Sequence, residues 1–433
     1  MPGPRSGLVI AAPQSGSGKT VFTLGLLRAL RDAGHPIASA KSGPDYIDPK
    51  FHEAATGTPC LNLDAWAMSA GAIKARAQNH TPPGAMLVVE GAMGLFDGSA
   101  AGKGSTADLA AILGLPVVLV VDASKQAQSI AALAHGFASL RDDTALAAII
   151  LNRVGSPRHE RILRQALEPI GIPVLGALSN DKTLALPSRH LGLVQAGEIG
   201  DLEDFIQAAA AKIETETDIA ALISQSGVLA VSDQSCRPLP PLGQRTAIAR
   251  DTAFAFCYPH LLRDWRDQGC ELSFFSPLAD EAPRRSCDSI YLPGGYPELW
   301  GETLAQASNF RTGMQEAANR AALIYGECGG YMVLGEALTD AEGKTHPMLG
   351  LLPLETSFQA RQRHLGYRRL TPTQAAPWTT PLNAHEFHYS TLVREGAAER
   401  LFLAEDAEAR DLGPIGLSRN GVSGSYAHII DRA

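Results

Sequence analysis

A short apolar strand running straight into Ala12-Pro13-Gln14-Ser15-Gly16-Ser17-Gly18-Lys19-Thr20 leaves this chain few folds to choose from. In such a loop consecutive backbone N–H groups converge on an anion at the N-terminus of the next helix. Gly16, Ser17 and Gly18 supply the tight path, Lys19 would reach the β- and γ-phosphates, and the Thr20 hydroxyl would ligate Mg²⁺. Pro13 stands where the usual pattern has its first glycine. A strand before the loop and a helix after it imply an α/β fold around a parallel sheet.

The rest of the first half agrees. Leu8–Ala12, Met86–Glu90, Val117–Val121 and Ala147–Leu151 are short apolar runs bounded by Gly, Pro or polar residues. Helical stretches fit Thr20–Ala33, Thr106–Leu113, Gln128–Arg141 and Pro157–Ile170, the alternation of a sheet covered on both faces. Another helical stretch, about Asp201–Ser224, precedes a Pro-rich segment at 236–245 that reads as an extended linker. Strands resume near Ala247–Ala249, Glu271–Phe275, Ser289–Leu292 and Leu323–Tyr325, and His385–Val393 looks antiparallel and β-rich. With 433 residues, two or three domains are expected, here 1–235 and 246–433.

Bulk properties narrow the function classes. A formal net charge of −8 disfavours a nucleic-acid partner. No apolar run approaches the roughly 18 residues a membrane helix needs, so a cytoplasmic location is expected. The six cysteines form no CxxC pair and no zinc spacing, the usage of reduced thiols buried as small apolar groups.

Cys328 is the exception. It follows an apolar strand in Tyr325-Gly326-Glu327-Cys328-Gly329-Gly330, a setting for a nucleophile on a sharp strand-to-helix turn. A helix N-terminus there would favour the thiolate. His428, in Gly424-Ser425-Tyr426-Ala427-His428, is the candidate base. Leu292-Pro293-Gly294-Gly295-Tyr296 resembles an oxyanion turn, with N–H groups of Gly295 and Gly329 as donors. In the first half, Glu90 ends the strand Leu87–Glu90, where a carboxylate would face Mg²⁺. Asp45 is a second metal candidate, and Asp97 in Gly94–Gly98 a group that orients substrate or metal.

Together these segments resemble a known family. Lys41–His52 (KSGPDYIDPKFH), Val89–Gly98 (VEGAMGLFDG) and Leu186–Val194 (LPSRHLGLV) are similar to the a,c-diamide synthases of cobyrinic or hydrogenobyrinic acid, in cobalamin biosynthesis. The resemblance implies an N-terminal domain like dethiobiotin synthetase and a C-terminal class I glutamine amidotransferase domain. It implies ATP at Gly16–Thr20, Mg²⁺ near Thr20, Asp45 and Glu90, and adenine recognition near Asn152 and Arg153. It makes Tyr46, Asp48, Asp97, Arg189 and His190 candidates for binding a corrinoid polycarboxylic acid or its acyl phosphate. Class I glutaminases often place Glu two residues beyond the catalytic His, but Ile430 stands there. Glu327 and Glu386 are stand-ins, and Asp431 lies one residue further on.

The implied activity is ATP- and glutamine-dependent amidation of two acetate carboxylates. Amidation of a related tetrapyrrole, such as a nickel sirohydrochlorin, would use the same chemistry. A ParA/MinD-like switch ATPase with an inactive glutaminase-like domain is the rival from another class. Gln14 stands where those switches carry an early signature Lys. The dimeric relative of the ATP domain is compatible with a homodimer. Two short echoes, Arg189-His190-Leu191-Gly192 and Arg363-His364-Leu365-Gly366, read either as coincidence or as basic walls for an anion.

Overall fold

The computed structural model describes residues 3–181, 184, 188–189, 192–193, 195–232 and 237–433. The chain divides into two compact units, Met1–Cys236 and Arg237–Ala433. Both are α/β.

The first unit is built on seven parallel strands: β1 (Ser6–Ala11), β2 (Ile37–Ser42), β3 (Leu61–Leu63), β4 (Met86–Glu90), β5 (Val117–Asp122), β6 (Leu146–Val154) and β7 (Val174–Ser179). Their spatial order is β3-β2-β4-β1-β5-β6-β7. Residues Leu8, Val9, Ile10 and Val118–Val120 are wholly buried, which is why these strands read as continuous apolar runs rather than alternating ones. The chain moves one way from β1 to β2 and the opposite way from β4 to β5. Right-handed crossovers therefore put α1 (Lys19–Asp32) and α2 (Asp48–Thr56) on one face. They put α3 (Ala70–His80), α4 (Thr106–Leu113), α5 (Ile130–Ser139) and α6 (Pro157–Leu167) on the other. The helical stretch after β7 breaks into α7 (Leu202–Glu216) and α8 (Ile219–Ser224). Helix α7 lies against α1 at Gly25, where a Cβ would meet Ala209 O at 2.7 Å. The loops after β1, β2, β4 and β6 all open at the carboxyl edge of the sheet, where ligands of such folds collect.

The second unit holds a ten-stranded mixed sheet. Its parallel half runs Glu271–Phe275, Arg245–Ala249, Ser289–Leu292, Leu323–Glu327, Val422–Ser425. The antiparallel half continues through Asp411–Arg419, Glu399–Asp406, His364–Pro372, Leu382–His388 and Ala427–Arg432. The last strand departs from Val422–Ser425 at Tyr426, so one stretch of chain serves both halves.

The Pro-rich segment differs from a solvated spacer. Leu239 is fully buried, Pro240 O accepts a hydrogen bond from Trp378 Nε1 (2.9 Å), and Leu239 O accepts one from Gln268 Nε2 (2.9 Å). Leu239→Ala should therefore destabilise the second unit by about 2–4 kcal/mol, read as a lower urea midpoint of that unit's transition. A solvated linker would show no change.

Candidate functional site

In the first unit the loop after β1 uses two left-handed glycines, Gly16 (φ 79°) and Gly18 (φ 95°). Gly18 also has no room for a side chain, since a Cβ would lie 2.1 Å from Asn152 Nδ2. That amide donates to Ser17 O (2.9 Å), and Ser17 Oγ donates to Gln14 O (3.0 Å). Asn152, expected near adenine, thus also braces the phosphate loop from the end of β6. Arg153 pairs with Asp122 at the end of β5. A cleft beside the loop is lined by Gly18, Phe22, Asn152, Arg153, Leu178 and Ser179 among others, a mixture of apolar and polar groups.

Lys19 is buried, and its Nζ donates to Met93 O (2.7 Å). Burial and then the Lys41 charge hold its pKa below the usual lysine value. Thr20 Oγ1 donates to Glu90 Oε1 (2.7 Å). Glu90, at the end of β4, has no solvent exposure. Its Oε1 also faces Lys41 Nζ (3.0 Å) and its Oε2 faces His52 Nε2 (2.7 Å). Burial pushes this carboxyl up, but Lys41 and His52 more than offset it and keep it well below the ordinary range. Lys41 reaches Asp48 Oδ2 as well (2.5 Å). Burial and the nearby Asp45 raise Asp48 to about 7 despite Lys41. Cys60 Sγ lies 3.4 Å from His52 Nδ1. Burial disfavours a charged His52, yet Cys60 and Glu90 hold its pKa up at about 10.

Lys41 and His52 were not singled out from the sequence. The signal was present: both flank Asp48 inside Lys41–His52, and His52 sits one helical turn after Asp48 on the same face of α2. Asp45 Oδ1 accepts from the N–H groups of Ile47 (2.7 Å) and Asp48 (3.3 Å), so this acid holds the turn that leads into α2. Asp97 Oδ2 accepts from Gly94 N (2.9 Å) and closes the turn after β4. Tyr46 is half-buried between β2 and α2. His190 lies outside the described residues, as does the side chain of Arg189.

In the second unit Cys328 takes φ 46° and ψ −105°, a conformation uncommon for a residue with a side chain, between Leu323–Glu327 and a short helix at Gly329–Leu334. The elbow is anchored by Cys328 N donating to Ser425 O (2.8 Å). Because Glu327 pairs with Ser425 in parallel register, Cys328 and the bend that leads to His428 leave the sheet at one edge. The loop after Ser289–Leu292 closes in from the neighbouring strand. A Cβ on Gly294 would meet His428 Cε1 at 2.1 Å, and one on Gly329 would meet Gly295 N at 2.9 Å. Cys328 Sγ lies 3.8 Å from Phe387 O.

The electrostatics differ from the expected thiolate. Burial, and then the Glu298 charge, push the Cys328 thiol up. Burial and the nearby His385 pull His428 down to about 3. Desolvation outweighs a helix of only six residues, so the resting pair is thiol and neutral imidazole. Glu327 Oε2 lies 3.8 Å from His428 Nδ1, accepts from Tyr291 OH (2.6 Å), and burial raises it to about 8. Glu386 instead pairs with Arg368 (2.7 Å) and His388 (2.9 Å). Asp431 Oδ1 accepts from Arg432 N (2.9 Å).

Residues 8–194 match the CobQ/CobB/MinD/ParA nucleotide binding domain, and residues 245–432 match the CobB/CobQ-like glutamine amidotransferase domain. The chain is 59% identical over 428 residues to a hydrogenobyrinate a,c-diamide synthase of Brucella anthropi, covering 98% of both chains. It is 57% identical to that of Rhizobium meliloti (98% of this chain, 99% of the relative) and 46% identical to that of Agrobacterium fabrum (98% of each). The chain belongs to the hydrogenobyrinate a,c-diamide synthase family.

Membership in this diamide synthase family makes it a glutamine-dependent amidating ligase with a nucleotide-binding domain. The described cysteines are free, with Cys60, Cys270, Cys287 and Cys328 buried and Cys257 half-buried, while Cys236 lies outside the described residues. Among the described residues no helix is long and apolar enough to cross a membrane.

The buried Glu90–His52 contact carries a pH signature. A histidine whose folded pKa rises from 6.5 to about 10 contributes stability that is complete below 6.5 and lost as pH rises through about 10. His52→Gln should cost about 1–3 kcal/mol near pH 6, with the gap from wild type narrowing toward pH 10 in urea unfolding. A gap independent of pH would mean that His52 is neutral in the folded chain.

Proposed function

We propose that this chain amidates the a and c acetate carboxylates of hydrogenobyrinic acid, consuming ATP and glutamine through acyl-phosphate intermediates. What carries the reading is the pairing, in one chain, of a phosphate loop tied to a buried Glu90 with a cysteine elbow. The names of relatives matching over nearly the whole length add the substrate. Those names favour a metal-free corrinoid over a nickel tetrapyrrole and a ligase over a switch ATPase.

In the first unit a substrate carboxylate oxygen attacks the γ-phosphorus of ATP and ADP leaves, giving a mixed anhydride. The phosphate loop N–H groups and Lys19 hold the transferring group, which requires Lys19 to exchange Met93 O for phosphate oxygens. Thr20 and Glu90 present hard oxygens already in contact, and with Asp45 they would hold Mg²⁺. The ion would neutralise charge as two anions approach. Tyr46, Asp48, Asp97, Arg189 and His190 are the proposed contacts to the macrocycle, and Asn152 and Arg153 those to adenine.

In the second unit Cys328 attacks the side-chain amide of glutamine while its proton passes to His428. His428 then protonates the departing nitrogen, releasing ammonia, and water hydrolyses the thioester to glutamate. Gly295 and Gly329 N–H groups stabilise the oxyanion. Glu327 is the third member, placed beside His428 Nδ1 by the strand that also carries the nucleophile. Ammonia displaces phosphate from the mixed anhydride and leaves the amide.

Cys328→Ala should abolish amidation with glutamine and retain it with ammonium, whereas Lys19→Ala should lose at least ~10²-fold with either donor. Product analysis with hydrogenobyrinic acid checks both. Glutamine use surviving Cys328→Ala removes the glutaminase assignment. Glu327→Gln should lower glutamine-dependent kcat at least ~10-fold, since an orienting carboxylate contributes up to ~10⁴. Steady-state assays with both donors decide this, and an equal fall with ammonium would make Glu327 structural.

A further inference from the structure

The proposed steps assign no role to the side chains of two stretches, Arg363-His364-Leu365-Gly366 and Glu386-Phe387-His388-Tyr389. The fold brings them together on adjacent antiparallel strands, with His364 directly opposite His388 and Gly366 opposite Glu386. Residues two apart share a face of a strand, so Glu386 and His388 project together and His364 meets them from across the ladder. One donor atom from each of the three lies within 4.8 Å of the other two. Gly366 adds no side chain over Glu386.

The groups around this trio already orient it. Ser390 Oγ lies 3.0 Å from His388 Nδ1, which turns His388 Nε2 toward Glu386 Oε1 at 2.9 Å. The other carboxylate oxygen, Oε2, accepts from Arg368 Nε (2.7 Å). The His388 ring is packed between His364 (centroids 4.6 Å, planes 12° apart) and Tyr426 (3.9 Å). His388 and Glu386 therefore each have an outer partner on the far side, the arrangement that fixes tautomer and orientation in metal centres, while His364 is held by ring stacking on His388.

We propose that His364, Glu386 and His388 form a three-ligand site for a divalent transition-metal ion of the zinc class. Two imidazoles and one carboxylate suit Zn²⁺, Co²⁺ or Ni²⁺, whereas Mg²⁺ prefers an all-oxygen set. Two ligands at i and i+2 of one strand and a third on its antiparallel neighbour make a tripod that leaves a fourth position for water or a small ligand. Tetrahedral bonds of roughly 2.0–2.2 Å require the donors to close to about 3.4 Å apart. His364, half-exposed, has the freedom to tilt inward. On binding, His388 offers its Nε2 lone pair and carries its proton on Nδ1, where Ser390 Oγ accepts it. Glu386 exchanges its contact with His388 for the ion through Oε1 and keeps Arg368 on Oε2. The Arg368 charge costs affinity while holding the carboxylate in place.

The site adjoins the nucleophile, because the backbone carbonyl of Phe387, between two of the ligands, is the one 3.8 Å from Cys328 Sγ. The test must therefore separate an ion on this tripod from one on the thiol. Full-length protein, stripped with chelator and held in Mg²⁺ buffer, is titrated with Zn²⁺ by calorimetry and with Co²⁺ by visible absorption. A tight equivalent is expected, with the intense d–d bands of low-coordinate Co²⁺, and both signals persist in Cys328→Ala. His364→Ala and His388→Ala should each weaken binding by at least the roughly 10–100-fold that loss of an outer partner costs. If His388→Ala fails to fold by circular dichroism, the half-exposed His364→Ala decides alone. Unchanged titration of His364→Ala overturns the proposal, as does the absence of Co²⁺ bands in wild type. Loss of binding in Cys328→Ala would assign the ion to the thiol and overturn it equally.

Discussion

Both chemistries of this chain sit where a parallel strand reverses into a helix, over residues 12–18 after β1 and over Cys328 alone after Leu323–Glu327. After β1 the reversal is made by Gly16 and Gly18 at positive φ, which frees consecutive N–H groups to point outward. After Leu323–Glu327 it is made by Cys328 itself, at φ 46°, which stands the sulfur above the sheet edge. The two solutions suit their tasks. An anion needs bare backbone and close approach, so glycine is used; a nucleophile needs a side chain at the apex, so strain at a non-glycine residue is tolerated. The surroundings enforce each turn: Asn152 leaves Gly18 no space for a Cβ, and Ser425 O holds Cys328 N.

Charge at the carboxyl edge of the first sheet is organised by burial. A carboxylate with no exposure is costly to ionise unless partners replace its water, and Glu90 has three: Thr20, Lys41 and His52. The arrangement links the phosphate loop, the β2 strand end and α2 through one side chain. Lys41 in turn reaches Asp48, so the acid facing the loop and the acid on the neighbouring helix share a cation. His52 and Thr20, remote from each other in sequence, thus meet on the two oxygens of one carboxylate.

Much of this was legible from residues alone, and what was missed has a physical cause. Met86–Glu90, Glu271–Phe275, Ser289–Leu292 and Thr106–Leu113 have the bounds expected, because buried strands and amphipathic helices announce themselves by period and by flanking Gly or Ser. β2, with Lys41 and Ser42 at its end, and the three-residue β3 carried no such pattern and were passed over. The family resemblance marked the Lys41–His52 segment, yet Lys41 and His52 themselves went unnamed, since a buried ion pair is a property of convergence from separate strands. The Pro-rich segment has the composition of a spacer; only packing reveals that Leu239 belongs to a core. For the third glutaminase group the usual position beyond His428 holds Ile430, which leaves Glu327, Glu386 and Asp431 as candidates that sequence alone does not rank. Of these, Glu327, next to the nucleophile in sequence, is the one whose carboxylate lies beside the imidazole, while Glu386 is engaged by Arg368 and His388.

That placement bears on how a buried thiol can act. Moving a proton from Cys328 to His428 creates two charges in a site where burial disfavours both, as the raised thiol and lowered imidazole record. On the proposed reaction, backbone N–H groups at Gly295 and Gly329 receive the negative charge. The positive charge would lie beside Glu327, whose Oε2 is 3.8 Å from His428 Nδ1. Tyr291 OH and Ile429 N already donate to it, so the carboxylate form finds its hydrogen bonds in place. On the proposed reaction, burial therefore does not silence the nucleophile. The cost of separating charge falls on the groups around the pair, the N–H groups of Gly295 and Gly329 on one side and Glu327 on the other.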